Sequence, residues 1–379
     1  MKLADKTMCT GCGACASVCP CGAIEMVQDE EGFFVPHIND EKCNKCGACE
    51  KACHVSKEYA NVLKTSKFYA CRSKDAGTVK TSSSGGVFTE LSNKVLKDGG
   101  VVFGAAFSND YKGLTHTSTD EVTLEQLKRS KYFESDMGLT IKRIGEELKA
   151  DRTVLFCGTP CQAMGVRATF GERFENLIIV DFLCHGVPSQ KTYKKYIADI
   201  EKKYNSEVVD VNFRPKTFGW RTYCMSIKFA NGKKYIKLGN EDPFFRIFFS
   251  KKVLRDCCYT CNKQDLSAAD ITIGDFWGIS KMTNMSDDDK GMSLVSLHSE
   301  KGKKLFKECI DFKDLMQLSL NDVIYAYNRP ERKRPEVKMN IDTFDFFNND
   351  LLKKSGWKKK LRNAIIKNEL LRKILKITG

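Results

Sequence analysis

Residues 9–20 read Cys9-Thr10-Gly11-Cys12-Gly13-Ala14-Cys15-Ala16-Ser17-Val18-Cys19-Pro20, and residues 43–53 repeat the spacing as Cys43-x2-Cys46-x2-Cys49-x3-Cys53. Three thiolates two residues apart wrap one turn of backbone around three irons of a 4Fe-4S cube, and the fourth cysteine of each run crosses to the other cube. The spacing therefore predicts two clusters, one on Cys9, Cys12, Cys15 and Cys53 and the other on Cys43, Cys46, Cys49 and Cys19. Gly11, Gly13 and Gly47 lie inside these turns, where a missing Cβ lets backbone N–H groups approach inorganic sulfur. Structural zinc is the competing reading, but it uses paired cysteines with a long spacer rather than three in one turn. The segment carries single electrons.

Between the two runs, Ala23–Val27 and Phe33–Ile38 flank the turn Asp29-Glu30-Glu31-Gly32 and read as a short hairpin. So small a module has little apolar core, and its clusters must hold it folded. Residues 1–57 are thus expected to form an α+β, ferredoxin-like dicluster domain. Cys21 is left over and is expected to be a small buried residue.

At 379 residues the chain needs a second, larger domain. Its 18 cysteines, spaced for clusters, point to a reducing cytoplasm rather than to disulfides. No N-terminal stretch resembles a signal peptide, and no apolar run reaches the roughly eighteen residues that span a bilayer. The net charge is +14, yet Lys353–Gly379 holds ten basic residues against Glu369 alone, so this tail carries +9 and the remainder only +5. A nucleic-acid-binding role loses its electrostatic support.

After a polar linker, residues 67–330 alternate between strand and helix signals. Phe68–Arg72, Val101–Phe107, Thr153–Cys157, Asn176–Cys184, Asp270–Gly274 and Ser293–Leu297 read as strands, with more strands within Val208–Leu238. Val87–Lys97, Met137–Lys149, Cys161–Phe170 and Ser189–Tyr204 read as helices. The alternation predicts an α/β domain with a largely parallel sheet, whose ligands sit at the carboxyl ends of strands.

Several clusters of residues carry chemistry. Ser82, Ser83, Ser84, Gly85 and Gly86 lead straight into a helix, which suits a phosphate cradle as well as an ordinary cap. Cys161, Cys184, Cys258 and Cys261 lie at the ends of elements; they either converge on a third metal site or are simply buried cysteines. Cys257 adjoins Cys258, and the register forming a CxxC with Cys261 is preferred. Arg214, Lys216 and Trp220 place cations beside an aromatic, a composition fitting an anionic planar ligand or a solvated charged loop. His185 stands in a turn, where histidine can donate a proton to a ligand or be structural.

In this order, SSSGGVFT (Ser82–Thr89), SKY (Ser130–Tyr132), FCGTPCQ (Phe156–Gln162), CHGVPS (Cys184–Ser189), FRPKTFGW (Phe213–Trp220), CYTC (Cys258–Cys261) and ADITIGDFWG (Ala269–Gly278) resemble the family of the beta subunits of coenzyme F420 hydrogenases and dehydrogenases. The resemblance implies an α/β flavin-binding domain with FAD. It implies FAD phosphate at Ser82–Gly86 with Arg214 and Lys216 nearby, and a third 4Fe-4S cluster on Cys161, Cys184, Cys258 and Cys261. It makes His185 and Lys131 candidate catalytic residues. A hydride carrier, coenzyme F420 or another, exchanges two electrons at once whereas a cluster takes one, so a cofactor able to do both must stand between them. A redox partner protein is the alternative destination: the chain then wires a partner enzyme without a substrate of its own.

Residues 350–379 lie outside the resemblance. Trp357, Leu361, Ala364, Ile365, Leu371, Ile374 and Leu375 recur at helical spacing among lysines, predicting a basic amphipathic helical tail. Such a tail can make peripheral contact with anionic lipid, cover an acidic partner, or pack on the protein's own surface.

Overall fold

The computed structural model describes residues 3–261, 268–282, 287–309, 311–327, 335 and 339–347. The basic tail expected at 350–379 lies outside the described residues. Among those described, no helix is long and apolar enough to cross a membrane.

The N-terminal hairpin forms as β1 (Ile24–Gln28) and β2 (Phe34–Ile38), antiparallel with Ile24 opposite Ile38. Its turn is closed by Asp29, whose Oδ1 accepts the N–H groups of Glu31 and Phe33 at 3.0 and 2.9 Å. Short helices Ala14–Ser17 and Ala48–Ala52 begin at Gly13 and Gly47, both left-handed with φ of 73° and 72°. Only glycine enters that conformation without a steric cost.

The larger domain is built on an eight-stranded sheet. Its strands are β3 (Lys67–Ser73), β4 (Val101–Phe107), β5 (Leu114–Ser118), β6 (Val154–Cys157) and β7 (Leu177–Phe182). Strands β8 (Val208–Asn212), β9 (Cys224–Phe229) and β10 (Lys234–Leu238) make a separate antiparallel sheet, and β11 (Ile271–Asp275), β12 (Ser293–Leu297) and β13 (Phe312–Leu318) return to the first. The large sheet has the order β13-β3-β12-β11-β7-β6-β4-β5. Only its centre, β4-β6-β7-β11, is parallel. The expectation of a largely parallel sheet is corrected to a mixed one. β5 follows β4 after a short turn, and two strands joined so tightly can pair only antiparallel; β12, β3 and β13 also pair antiparallel.

Strand periodicity divides the core. Val101, Phe103, Val154, Phe156, Leu177 and Ile179 face helices Thr140–Lys149 and Pro160–Phe170, while Val102, Leu155, Ile178, Val180 and Ile271 face the opposite side with helix Val87–Lys97. The dicluster segment packs on the first layer, placing Ala14 and Ala52 in one apolar cluster with Met137, Ile141, Ala163 and Val166. The helix expected from Met137 begins at Thr140 instead, because Asp136 is drawn into a bridge with Thr115 beside β5.

The parallel centre leaves four strand ends on one edge. Phe107, Cys157, Phe182 and Asp275 end β4, β6, β7 and β11, so the loops carrying Cys161, Cys184, His185 and Trp277 leave from that edge.

Candidate functional site

Cys9, Cys12, Cys15 and Cys53 line one small cavity of about 30 Å³, together with Gly11, Gly13, Met26, Pro36 and His54. Cys53, distant in sequence, is carried there by helix Ala48–Ala52. Burial pushes the Cys12 thiol up to about 11, and burial with neighbouring thiols raises Cys15 further. A thiolate in that cavity needs a cation beside it, which cluster iron supplies. Among the described residues no three His, Cys, Asp or Glu side chains gather tightly enough for one metal ion; a four-iron cube spaces its ligands more widely than an ion does.

The other set is placed differently. Cys46 is exposed, and Cys19 and Cys43 are half-buried. Backbone N–H groups of Ala23 and Lys45 point at the sulfurs of Cys19 and Cys43 at 3.2 and 3.4 Å. Such N–H···S bonds raise cluster potentials. Cys21, expected to be buried, is exposed, with its sulfur 3.7 Å from that of Cys19. It follows Pro20 on the outer turn, beyond the reach of the apolar core. A hydrogen bond from the Asn44 backbone lowers its thiol pKa.

Cys161 opens helix Pro160–Phe170, whose cap Thr159 has its hydroxyl 3.1 Å from the Cys161 sulfur. Burial raises the Cys161 thiol, and the thiols of Cys184, Cys258 and Cys261 raise it further. Those four residues therefore share one neighbourhood at the ends of β6 and β7. Cys258 lies against the Cys184 turn, since a Cβ on Gly186 would stand 3.3 Å from its Cβ, whereas Cys257 is buried. The neighbourhood is close to the first cavity. Gly165, one turn along the Cys161 helix, packs directly on Cys12.

The link is completed by a residue that the sequence did not single out. Arg255, in the loop before Cys258, donates from Nε to Cys9 O at 2.9 Å and from Nη2 to Phe34 O at 2.5 Å, and its Nη1 pairs with Glu134. Burial works against the guanidinium, but Glu134 holds its pKa above the ordinary range.

Three further motifs meet at the other end of the edge. The Ser83 hydroxyl accepts the Ser130 N–H at 2.9 Å, joining the Ser–Gly run to SKY. Lys216 Nζ donates to the carbonyls of Val79 and Ser84 at 2.5 and 2.6 Å, joining the run to the 213–220 loop. Arg214 Nη1 donates to Tyr132 Oη and Asp275 Oδ2, each at 3.1 Å. Asp275 also accepts the Trp220 indole N–H at 3.1 Å, and Trp220 stacks on Trp277 with centroids 4.4 Å apart. The Arg214 guanidinium lies 5.2 Å from the Trp277 ring, and its buried Nη2 has no acceptor among the described residues. Phe107, Ser130, Lys131 and Phe213 line an adjoining cleft of about 200 Å³.

Two expectations are corrected by these contacts. The Ser82–Gly86 run is not an open cradle: the Gly85 N–H bonds to Ser293 Oγ at 2.9 Å, the Ser82 N–H to Thr78 O at 3.0 Å, and the Ser84 hydroxyl donates to Met292 O at 2.8 Å. β12 fills the space beside Gly85, where a Cβ would stand 2.9 Å from the Ser293 N. Lys216 is spent on backbone carbonyls rather than turned to a ligand, and burial pushes its ammonium down to about 8.

Lys131 is half-buried beside the cleft, its Nζ donating to Leu127 O and Lys128 O at 3.1 and 2.8 Å. Burial, with Arg129 nearby, pushes its ammonium down to about 7. His185 is exposed on the turn after β7. Asp275, Tyr132 and Trp277 were legible only as motif letters without roles.

Two segments of the chain match known families. Residues 151–321 match the family described as the C terminus of the coenzyme F420 hydrogenase/dehydrogenase beta chain, and residues 8–57 match the 4Fe-4S dicluster domain. The chain is similar to the F component of the F(420)H(2) dehydrogenase of Methanosarcina mazei, with 25% identity covering 83% of this chain and 86% of that protein. It is also similar to the iron-sulfur component A of the CoB–CoM heterodisulfide reductase of Methanocaldococcus jannaschii, at 41% identity but over only 14% of this chain and 10% of that protein. A solved structure, a xenon derivative of the F420-reducing NiFe hydrogenase complex from Methanosarcina barkeri, aligns with TM-score 0.44 and 17% identity over 69% of this chain and 82% of that one. Ahead of the region that matches the C terminus of the coenzyme F420 hydrogenase/dehydrogenase beta subunit, the chain carries a 4Fe-4S dicluster domain, and in this order it resembles the beta-subunit family of those enzymes.

Proposed function

We propose that this chain is an iron-sulfur flavoprotein oxidoreductase, moving electrons between a hydride carrier at FAD and 4Fe-4S clusters. Residues 1–57 act as the dicluster domain and 67–330 as the FAD-binding oxidoreductase domain. FAD fits where the Ser82–Gly86, 128–132 and 213–220 segments meet. The observation that carries this reading is Arg214, buried between Tyr132, Asp275 and Trp277 with Nη2 lacking an acceptor among the described residues. A buried guanidinium N–H costs free energy until a ligand oxygen meets it.

When bound, FAD supplies two-electron exchange with a carrier and one-electron exchange with clusters. The chain's own residues prepare the site for it. Trp277, backed by Trp220, offers an aromatic wall, and Asp275 fixes Arg214 toward the ligand. Lys216 ties the Ser–Gly turn down so that Gly86 and the helix N-terminus face phosphate. Lys131 and His185 are the groups able to hold or move a proton, Lys131 having a pKa matched to neutral pH. Cys161, Cys184, Cys258 and Cys261 hold a third cluster. Cys9, Cys12, Cys15 and Cys53 would hold one 4Fe-4S cluster and Cys19, Cys43, Cys46 and Cys49 another, which would supply one-electron storage, the second reaching the surface at Cys46.

Anaerobically purified protein loaded with FAD, given reduced coenzyme F420 or reduced nicotinamide, should bleach its clusters and reduce a viologen dye. The exposure of Cys46 also favours a second reading, an electron-transfer protein that wires a partner enzyme. Inertness toward every hydride donor until a partner protein is added selects that second reading.

A further inference from the structure

Arg255 is the one described cation lodged between the ferredoxin-like segment and the cysteine loop of the larger domain by hydrogen bonds to both. Its backbone N–H reaches Val187 O at 3.0 Å in the turn that follows Cys184, and its carbonyl accepts the Cys258 N–H at 2.9 Å. Its side chain crosses to the other segment, where Nε meets Cys9 O at 2.9 Å and Nη2 meets Phe34 O at 2.5 Å. The guanidinium lies 5.2 Å from the Phe33 ring, and its side chain is 4% exposed. Glu134 answers it with Oε1, while its Oε2 accepts the Phe34 N–H at 3.2 Å. Neither side chain can be moved outward without breaking both segments' contacts. The space above Gly11 is closed by the same pair, since a Cβ there would stand 2.8 Å from Arg255 Nη1 and from Glu134 Oε1.

A charge buried at this depth acts through a low effective dielectric, so its field on nearby iron is far less screened than that of a surface lysine. Cluster potentials respond to net charge, to hydrogen bonds at the sulfurs and to exposure. Arg255 supplies the charge beside Cys9 and its burial limits exposure, while its bond to the Cys9 carbonyl fixes the ligand turn rather than reaching a sulfur.

We propose that Arg255, opposed by Glu134, is a positioning residue that sets the reduction potential of the cluster on Cys9, Cys12, Cys15 and Cys53. The guanidinium favours the reduced, more negative cluster, and the Glu134 carboxylate disfavours it. Loss of either partner moves the potential in opposite senses while the cysteine ligands stay in place. The proposal rests on the dicluster reading of Cys9, Cys12, Cys15 and Cys53 and is independent of the third cluster.

The test is a dye-mediated redox titration of the anaerobic full-length holoprotein, followed by electron paramagnetic resonance. Arg255→Gln should make the Cys9 cluster harder to reduce by about tenfold or more in equilibrium constant, ~59 mV for one electron. Glu134→Gln should make it easier to reduce, and Arg255→Lys should recover most of the wild-type value, all three with unchanged iron. Unchanged potentials in the Gln variants, or shifts of the same sign in both, overturn the proposal. Should Arg255→Gln fail to fold, Glu134→Gln alone still decides: a shift toward easier reduction supports the proposal, and no shift or the opposite one rejects it. A wild-type content of eight irons rather than twelve would instead remove the third cluster while leaving the Cys9 result readable.

Discussion

Gly165 and Cys12 are in direct contact across the two segments: a methyl group on Gly165 would stand 2.8 Å from the Cys12 sulfur. Cys161 lies four residues earlier on the same helix, ~6 Å along its axis. Ligands proposed for two clusters thus sit on and against one helical turn, and the helix fixes their separation.

Gly165→Ala should therefore strike the dicluster domain although the substitution lies in the larger one. The Cys12 turn must shift, at a cost of about 1–3 kcal/mol typical of overpacking. Iron analysis should show up to half of the dicluster iron lost, with the exposed cluster kept. Wild-type iron and an unchanged resonance spectrum would show that the contact is slack.

For the third cluster, Cys258→Ser is the cleanest probe because Cys258 is half-buried and serine nearly matches it in size. Iron should fall by less than half, FAD should stay, and the flavin should still be reduced by its donor but pass electrons slowly to a dye docking at the exposed cluster. Full iron with full dye reduction would place the relay elsewhere. Cys257→Ser, at the adjacent buried position, should leave iron unchanged.

Arg214→Lys tests the flavin site. Lysine keeps the charge beside Asp275, avoiding the roughly 3–5 kcal/mol cost of stranding that carboxylate, but it lacks the forked donors. FAD released by acid from the purified variant should drop at least tenfold relative to wild type, with iron unchanged. Gly85→Asp is a poorer probe: its Cβ would meet Cys71 O at 2.7 Å and the Ser293 N at 2.9 Å, so it should damage the sheet before it reaches any phosphate.

Asp242 predicts a pH dependence remote from the clusters. Its carboxyl caps helix Pro243–Ser250 through the Phe245 N–H and accepts the hydroxyls of Tyr196 and Tyr235. Burial raises its pKa from 3.8 to about 6. The folded state therefore binds this proton more tightly than the unfolded chain. Its stabilisation is fully present below about pH 4 and is lost as pH rises through 6, at most about 3 kcal/mol in all. His116 and His298, both lowered to about 4 by burial, act in the opposite sense, losing stability as pH falls through that range. Denaturation of Asp242→Asn against wild type between pH 5 and 7.5 isolates the carboxyl: the gap between the two should change with pH, and a constant gap would show that Asp242 does not titrate there.

Much of the fold was legible because its signals are local. Strand Val101–Phe107 and helix Val87–Lys97 occur where apolar periodicity and Gly99-Gly100 put them, and the hairpin follows from Asp29 through Gly32. β5 and β13 escaped because neither has an uninterrupted apolar run, and helix Pro243–Ser250 because Phe-rich segments favour strand or helix according to what they pack against.

By itself, the sequence determined the dicluster motif, since thiolate spacing within one turn is a covalent property of the chain. It also determined the alternation of strands and helices, which follows from side-chain periodicity. What only the tertiary structure decided is how separated pieces meet: Cys53 beside Cys9, Arg255 between Cys9 and Glu134, Asp275 holding Arg214 and Trp220 together, and β12 filling the space at Gly85. These are contacts across tens to hundreds of residues, and no local propensity encodes them. They exist because a sheet buried on both faces leaves each loop at its edge one place to go.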